Sequence, residues 1–284
     1  MKRAWTDRLV SPTTGSVLEL DPVRIADDEV VEGFLVSRDE REVWPIVAGV
    51  AVLPHDLGAH LGAQGSVYRR SPINDPRLAR FLLGRAGTGY VVVPFDEVVA
   101  QYRDLARDPP EGYDTTPDPE HVALAALAGT IGAQGTGVVV GSGVGRGVFA
   151  LGTRLEAVLG FDRSIACVRR ARNIAVTVED FFLPAPKGSG MKEIPLDFAP
   201  LTRTAADFAL ADAEALPLAD EAVDLLVLYP GDSLGRWPDA DAAWREARRV
   251  TRVGGHVLWH EALDAEGLPA PIATEGPWRA VARA

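Results

Sequence analysis

The segment Gly137–Gly147, with the sequence GVVVGSGVGRG, constrains the fold of this chain more than any other. Its β-branched residues Val138–Val140 predict a buried parallel strand. A loop with glycine at every second position from Gly141 to Gly145 follows, and an apolar stretch after it predicts a helix. A strand, a glycine turn and a helix in succession present backbone N–H groups to a ligand, and the missing Cβ atoms permit close approach. The segment therefore predicts a ligand-binding loop in an α/β fold.

A second strand, predicted at 155–160, leads to Asp162, which lies 21 residues after Gly141. An acid about 20 residues past such a loop is placed to accept hydrogen bonds from ribose hydroxyls. A dinucleotide loop, G-x-G-x-x-G, would need glycine where the chain has Arg146. The pattern G-x-G-x-G, with an acid ending the next strand, instead resembles the S-adenosylmethionine loop of class I methyltransferases.

Four further segments resemble the same family and follow in the family's order. The first contains FDRS followed by ARN, the second ends a strand in Asp-Ala with Leu-Pro after it, and the third is an apolar strand. The last is a helix that leads into the fifth strand, with Gly254-Gly255 predicted to end the helix. The segments are 161–173, 208–217, 222–229 and 239–261. The resemblance implies an α/β fold with a Rossmann-like class I methyltransferase sheet, helices on both faces, and S-adenosylmethionine as cofactor.

The resemblance also implies a set of cofactor-binding residues, with Asp162 on the ribose and Asp212 on the adenine amino group. The full set is Gly141, Ser142, Gly143, Gly145, Asp162, Arg163, Asp212, Ala213 and Tyr229. Position 139, where the family has an acid that holds the methionine amino end, is a valine. No catalytic base can be named. Asp232, His260 and Glu261 follow strands at the edge where ligands bind, but His260 could equally be a structural hydrogen-bonding group.

Residues 1–58 predict a small β-rich unit with short strands at 17–20, 33–36 and 43–46. One interpretation is a hairpin packed on the main domain. The other starts from the segments LVSPTTG and WPIVAGVAVL, which resemble a zinc-ribbon family of partner subunits for tRNA and release-factor methyltransferases. The zinc-binding cysteines of that family fall here on Ser11, Thr14, Ser37 and Glu40, so we expect no metal site.

The rest of the chain is less informative. Residues 59–130 predict a helical connector or cap, with helices from 75, from 95 and over 117–130. They could line the cofactor cleft or simply join two domains. Residues 131–284 form the predicted methyltransferase domain, interrupted by an insertion at about 173–207 that could be a β-arm covering the site or contacting a partner. After residue 263 we expect a short C-terminus with one antiparallel strand and part of the usual substrate wall missing.

Composition narrows the class of partner. The chain has 284 residues and a formal net charge of −11, which argues against a large nucleic-acid surface. Its single cysteine, Cys167, excludes an internal disulfide, and no apolar run is long enough for a membrane span. We expect a cytoplasmic methyltransferase acting on a small molecule or a protein. A scaffold protein with the same fold and no turnover is the alternative, and an RNA methyltransferase is a further one. The oligomeric state is left open.

Overall fold

The computed structural model describes residues 1–39, 41–69, 73–85, 119–176, 181–184, 191–194, 205–229, 239–263 and 265–283. Most of its strands belong to one sheet of 11 strands, and a separate antiparallel pair lies in the insertion. The helices are α1 (Arg3–Thr6), α2 (Leu57–Arg69), α3 (Pro76–Arg85), α4 (Pro119–Thr130), α5 (Arg146–Leu151), α6 (Ile165–Val176) and α7 (Ala240–Val250). The strands are β1 (Leu18–Ala26), β2 (Glu29–Ser37), β3 (Val43–Val47), β4 (Val50–Leu53), β5 (Thr136–Val140), β6 (Ala157–Asp162), β7 (Phe181–Pro184), β8 (Met191–Ile194), β9 (Ala206–Ala211), β10 (Val223–Leu228), β11 (Thr251–His260), β12 (Ala273–Glu275) and β13 (Trp278–Ala282).

Five parallel strands form the centre of the large sheet in the order β9-β6-β5-β10-β11. Counted from β5, this is the 3-2-1-4-5 order of a doubly wound fold, in which the strand order reverses beside the first strand. The rule that such crossovers are right-handed puts α5 and α6 on one face and α7 on the other, because the chain runs in opposite directions from the centre. The predicted α/β class with a Rossmann-like sheet is confirmed.

The N-terminal strands extend this sheet instead of forming a detached unit. β1 to β4 pair antiparallel in sequence order, and β4 then pairs in parallel with β9, from Ala51 opposite Ala209 to Leu53 opposite Ala211. All four residues of β4 are buried. The apolar core is therefore continuous from the N-terminal strands into the central sheet.

A group of largely buried ions, which we call the junction cluster, fastens the N-terminal strands to the domain. Arg172 of α6 donates from Nη1 to Asp207 Oδ1 at 3.1 Å and from Nη2 to Glu29 of β2. Asp207 Oδ2 also accepts from the backbone N–H of Lys2 at 2.6 Å. The side chain of Asp207 is fully buried and that of Arg172 is only 5% exposed. A buried pair of this kind is costly to break, because the remaining charge is left without compensation.

Several predicted elements differ from the structure or lie outside it. The helix expected to end at Gly254-Gly255 ends at Val250, and β11 starts at Thr251, because the glycines form a bulge that hydrogen-bonds to Arg283. The C-terminus supplies two strands, not one, since β12 pairs with the predicted antiparallel strand β13. The predicted arm is present as the β7–β8 hairpin. The helix from 95 lies outside the described residues, and α2 was not predicted.

Among the residues that the structure describes, no helix has the length and apolar composition needed to cross a bilayer.

Candidate functional site

The glycine loop after β5 is held in a backbone conformation that favours glycine. Gly141, Gly143 and Gly145 have φ values of 79°, 52° and 95°. A Cβ atom at Gly145 would lie 2.6 Å from Phe208 Cζ, whereas a Cβ at Gly143 would meet no atom within 4 Å. Gly145 is therefore required by packing, while Gly143 borders open space. The loop is built so that its middle can approach a ligand.

Asp162, at the end of β6, is oriented by backbone groups on both sides. Its Oδ2 accepts from the N–H of Gly143 at 2.9 Å, and its Oδ1 accepts from the N–H of Ser164 at 2.8 Å. The carboxylate thus joins the glycine loop to the start of α6. Each carboxylate oxygen can accept more than one hydrogen bond, so these contacts leave capacity for ligand hydroxyls. Arg163 beside it is exposed.

Asp212 and Ala213 follow β9 on the other side of β6, where Ala213 is buried. Asp212 Oδ2 accepts from the backbone N–H of His55, just past β4, at 2.8 Å. His60 of α2 lies nearby and contacts Tyr68 Oη through Nε2 at 2.8 Å. Burial lowers the pKa of His60 to about 4, although the negative charge of Asp212 opposes this shift. The N-terminal part of the chain therefore borders the predicted adenine end of the site.

Tyr229 belongs to a group of side chains at the carboxyl ends of β10 and β11 that we call the edge cluster: Glu120, Tyr229, His260 and Trp278. Tyr229 Oη donates to Glu120 Oε2 at 3.1 Å, and Trp278 Nε1 donates to the backbone carbonyl of Glu120 at 2.8 Å. The ring centroids of Tyr229, His260 and Trp278 are 5.2 to 5.3 Å apart. This packing fixes the start of α4 against the sheet edge.

His260 has a defined orientation in the edge cluster. Its Nδ1 accepts from the backbone N–H of Ala262 at 3.1 Å, so a neutral ring carries its proton on Nε2. Nε2 is buried, has no hydrogen-bond partner among the described residues, and lies 3.8 Å from Glu120 Oε2. The next residue, Glu261, instead pairs with Arg279 at 2.9 Å. Asp232 lies outside the described residues.

The topology gathers the predicted residues at one edge, because β9, β6, β5 and β10 are parallel neighbours whose carboxyl ends meet there. Sequence analysis missed Glu120 and His55. Glu120 looks like an ordinary acid in the first turn of a helix, where the dipole favours one. His55 contributes a backbone N–H, which no sequence pattern reveals. Only the packing of α4 and β4 against the sheet identifies both.

Comparison with protein families agrees with this geometry. Residues 138–259 match the family model described as a methyltransferase domain, which spans β5 to β11 and is less than half of the chain. This stretch is therefore similar to a methyltransferase domain. A match to a methyltransferase domain indicates an enzyme that uses S-adenosylmethionine as its methyl donor. The comparison with curated proteins finds no match.

Similar solved structures are more distant. The YcgJ protein of Bacillus subtilis is 20% identical, with 50% of this chain and 52% of that one covered and a TM-score of 0.38. A putative S-adenosyl-L-methionine-dependent methyltransferase of Methanococcus maripaludis is 21% identical, with 61% and 67% covered and a TM-score of 0.42. A chain in the complex between the Haloferax volcanii Trm112 methyltransferase activator and the putative methyltransferase is 20% identical, with 60% of this chain and 61% of that one covered and a TM-score of 0.37. The chain spans about half the length of the YcgJ protein. TM-scores below 0.5 support no functional argument.

The site residues fit S-adenosylmethionine. The loop is open at Gly143, and the Asp162 carboxylate beside it is already oriented. Ser142 is 7% exposed, and its buried Oγ has no hydrogen-bond partner among the described residues. A buried hydroxyl is usually hydrogen-bonded, so a ligand in this loop would satisfy it. The loop and Asp162 are therefore suited to hold a nucleoside and its attached chain.

Proposed function

We propose that the chain is an S-adenosylmethionine-dependent methyltransferase whose methyl acceptor is a small molecule or a protein. The observation that carries the proposal is the arrangement of Asp162, whose two carboxylate oxygens are held by the glycine loop and by the start of α6. A carboxylate positioned in this way beside an open glycine loop is suited to the ribose of the cofactor. It lies within the segment that matches the methyltransferase domain.

The proposed roles of the chain in the reaction are binding and alignment. Bound S-adenosylmethionine supplies a methyl group that its positive sulfur already activates, so transfer depends chiefly on in-line positioning of the acceptor. The loop residues Gly141 to Gly145 and Asp162 bind the sugar and the amino-acid chain. Asp212, Ala213 and Arg163 lie at the nucleoside end, and Tyr229 lies on the side where the acceptor enters.

The acceptor class is inferred from charge and architecture. A net charge of −11 repels the phosphates of RNA, which makes RNA the weaker alternative. The β7–β8 hairpin belongs to the 173–207 insertion, and we assign it to the acceptor wall or to a partner contact. Remote contacts of that kind can position an acceptor without touching the cofactor.

The proposal also includes the N-terminal unit, residues 1–58, as a ribbon that has lost its metal. Its support is a hydroxyl network where the resemblance would place zinc-binding cysteines. Ser11 Oγ accepts from the N–H groups of Thr13 and Thr14, both at 3.1 Å, and Ser37 Oγ accepts from the N–H of Glu42 at 3.0 Å. Glu40 lies outside the described residues. In this division residues 59–130 are the connector and residues 131–284 are the catalytic domain. β4 of the N-terminal unit pairs with β9 of the catalytic domain.

Calorimetric titration with S-adenosylhomocysteine tests the proposal. The wild-type protein should bind it, and D162A should bind at least tenfold more weakly, because charge-assisted hydrogen bonds contribute about 1.5–3 kcal/mol each. E156A is the matched control, since Glu156 is an exposed acid at the opposite edge of the sheet. Equal dissociation constants for D162A and wild type would contradict the assigned role of Asp162.

A scaffold protein without turnover remains the second candidate, because the acid expected at position 139 is absent. Labelled S-adenosylmethionine incubated with small-molecule, protein and RNA pools separates the candidates. Methyl incorporation into the first two supports the proposal, and incorporation into RNA alone would replace its acceptor class. Binding of S-adenosylhomocysteine with no incorporation into any pool would favour the scaffold.

A further inference from the structure

Position 139, which has valine where the family has an acid, is closed to any polar ligand group. Val139 is 1% exposed, and its neighbours on β5 are also buried. A hydrocarbon side chain there cannot compensate the positive amino group of an S-adenosylmethionine amino-acid chain. An ammonium group buried without hydrogen-bond acceptors is costly, and a carboxylate from another part of the chain would compensate its charge.

The first turn of α4 lies next to this position. A Cβ atom placed on Gly147 would be 3.7 Å from Val139 Cγ1 and 3.6 Å from Cδ2 of His121, the residue after Glu120. Tyr229, whose hydroxyl contacts the Glu120 carboxylate, also donates its backbone N–H to the carbonyl of Val140 at 2.9 Å. The Glu120 carboxylate is thus held at the carboxyl ends of β10 and β11, and β10 is the strand that pairs with β5.

The surroundings of Glu120 fix the carboxylate without enclosing it. Its backbone carbonyl accepts from Trp278 Nε1 and its Oε2 from Tyr229 Oη, so both ends of the residue are restrained. Its side chain is nevertheless 41% exposed, against 10% for His260. Aromatic rings around a carboxylate favour a cationic ligand, since the ring faces attract positive charge.

We propose that Glu120 binds the amino group of the methionine chain of the cofactor and so replaces the acid absent from position 139. Tyr229 is a positioning residue that orients the carboxylate. The inference rests on the proposed function and extends its binding site to a residue outside the matched segment. It also explains how a chain with valine at position 139 can retain the cofactor.

Two ligands that differ only in the amino-acid chain test this assignment by calorimetry. S-adenosylhomocysteine has the amino-acid chain with its amino group. Methylthioadenosine has the same nucleoside and sulfur atom but no amino-acid chain. For E120Q we expect the dissociation constant of S-adenosylhomocysteine to rise about 10- to 100-fold, the equivalent of one charge-assisted hydrogen bond. The dissociation constant of methylthioadenosine should stay within about twofold of the wild-type value, because the contacts to the nucleoside are unchanged.

Two further variants make the result specific. Y229F should weaken S-adenosylhomocysteine less than E120Q does, because the carboxylate stays and loses only one restraint. E156Q, which removes an equal charge at the opposite edge, should bind both ligands as the wild type does. Equal weakening of both ligands by E120Q, or of neither, would overturn the assignment while leaving the proposed function intact. A wild-type protein that binds neither ligand would remove the proposed function and this inference with it.

Discussion

The junction cluster and the edge cluster are both built from charged groups that join distant parts of the chain, yet they differ in burial. At the junction, Arg172 bridges Glu29 and Asp207, with side-chain exposures of 5% for Arg172 and 0% for Asp207. At the edge, Glu120 is 41% exposed and stands 3.8 Å from a buried His260 nitrogen that makes no hydrogen bond to the described residues. The Arg172–Asp207 pair is buried, whereas Glu120 is accessible at the ligand edge of the sheet.

The difference indicates what each cluster contributes. Charges that are buried and paired contribute to stability, because removal of one partner leaves the other uncompensated. A restrained carboxylate that remains accessible contributes little to stability and can bind a ligand. Variants at the junction cluster should therefore lower the free energy of unfolding, and variants at the edge cluster should weaken ligand binding.

The largest expected effect is that of R172M. It leaves the Asp207 carboxylate buried without its cation, so the free energy of unfolding should fall by about 3–5 kcal/mol. Denaturant unfolding followed by circular dichroism measures this. The matched edge variant, E120Q, should change the same quantity by about 1 kcal/mol or less. If the two variants destabilise the protein equally, the distinction between the clusters is wrong.

The next effect is a pH dependence from His60 of α2, which belongs to neither cluster. Because burial lowers its pKa to about 4, the folded protein keeps the ring neutral at a pH where the unfolded chain protonates it. Stability from this residue is therefore fully present above about pH 6.5 and is lost as the pH falls towards 4. Between pH 7 and pH 5 the loss should be about 2 kcal/mol.

The comparison with H60N isolates this term, since asparagine does not titrate and can still contact Tyr68. Unfolding free energies of both proteins at pH 7 and pH 5 give the difference directly. Parallel pH profiles for the two proteins would show that His60 titrates alike in the folded and unfolded chains.

The smallest expected effect concerns the hydroxyl network of the N-terminal unit, a third polar group outside both clusters. We predict that a chelator leaves the melting temperature unchanged and that elemental analysis finds no stoichiometric zinc. The reason is that hydroxyl groups replace the thiolates that a structural zinc site requires. One tightly bound zinc ion per chain would contradict this.

Much of the central fold could be predicted, because its signals are local. The β-branched run at β5, the glycines at alternate positions and the acid after β6 depend on backbone sterics and on spacing along the chain. The start of α7 could be predicted equally well, since Asp239 caps the helix by accepting from Ala242 N–H at 2.8 Å. The end of α7 was misplaced because the Gly254 bulge depends on pairing with Arg283, which is remote in sequence.

The sequence by itself determined the strand, loop and helix of the proposed cofactor site, since these follow from residue types at short spacing. Only the tertiary structure decided that β4 continues the sheet beside β9, that His55 supports Asp212, and that Glu120 stands at the edge of β10 and β11. The physical reason is that such contacts join residues more than 100 positions apart. Neither partner has a local preference that names the other, so only the packing of β4 and α4 against the sheet brings them together.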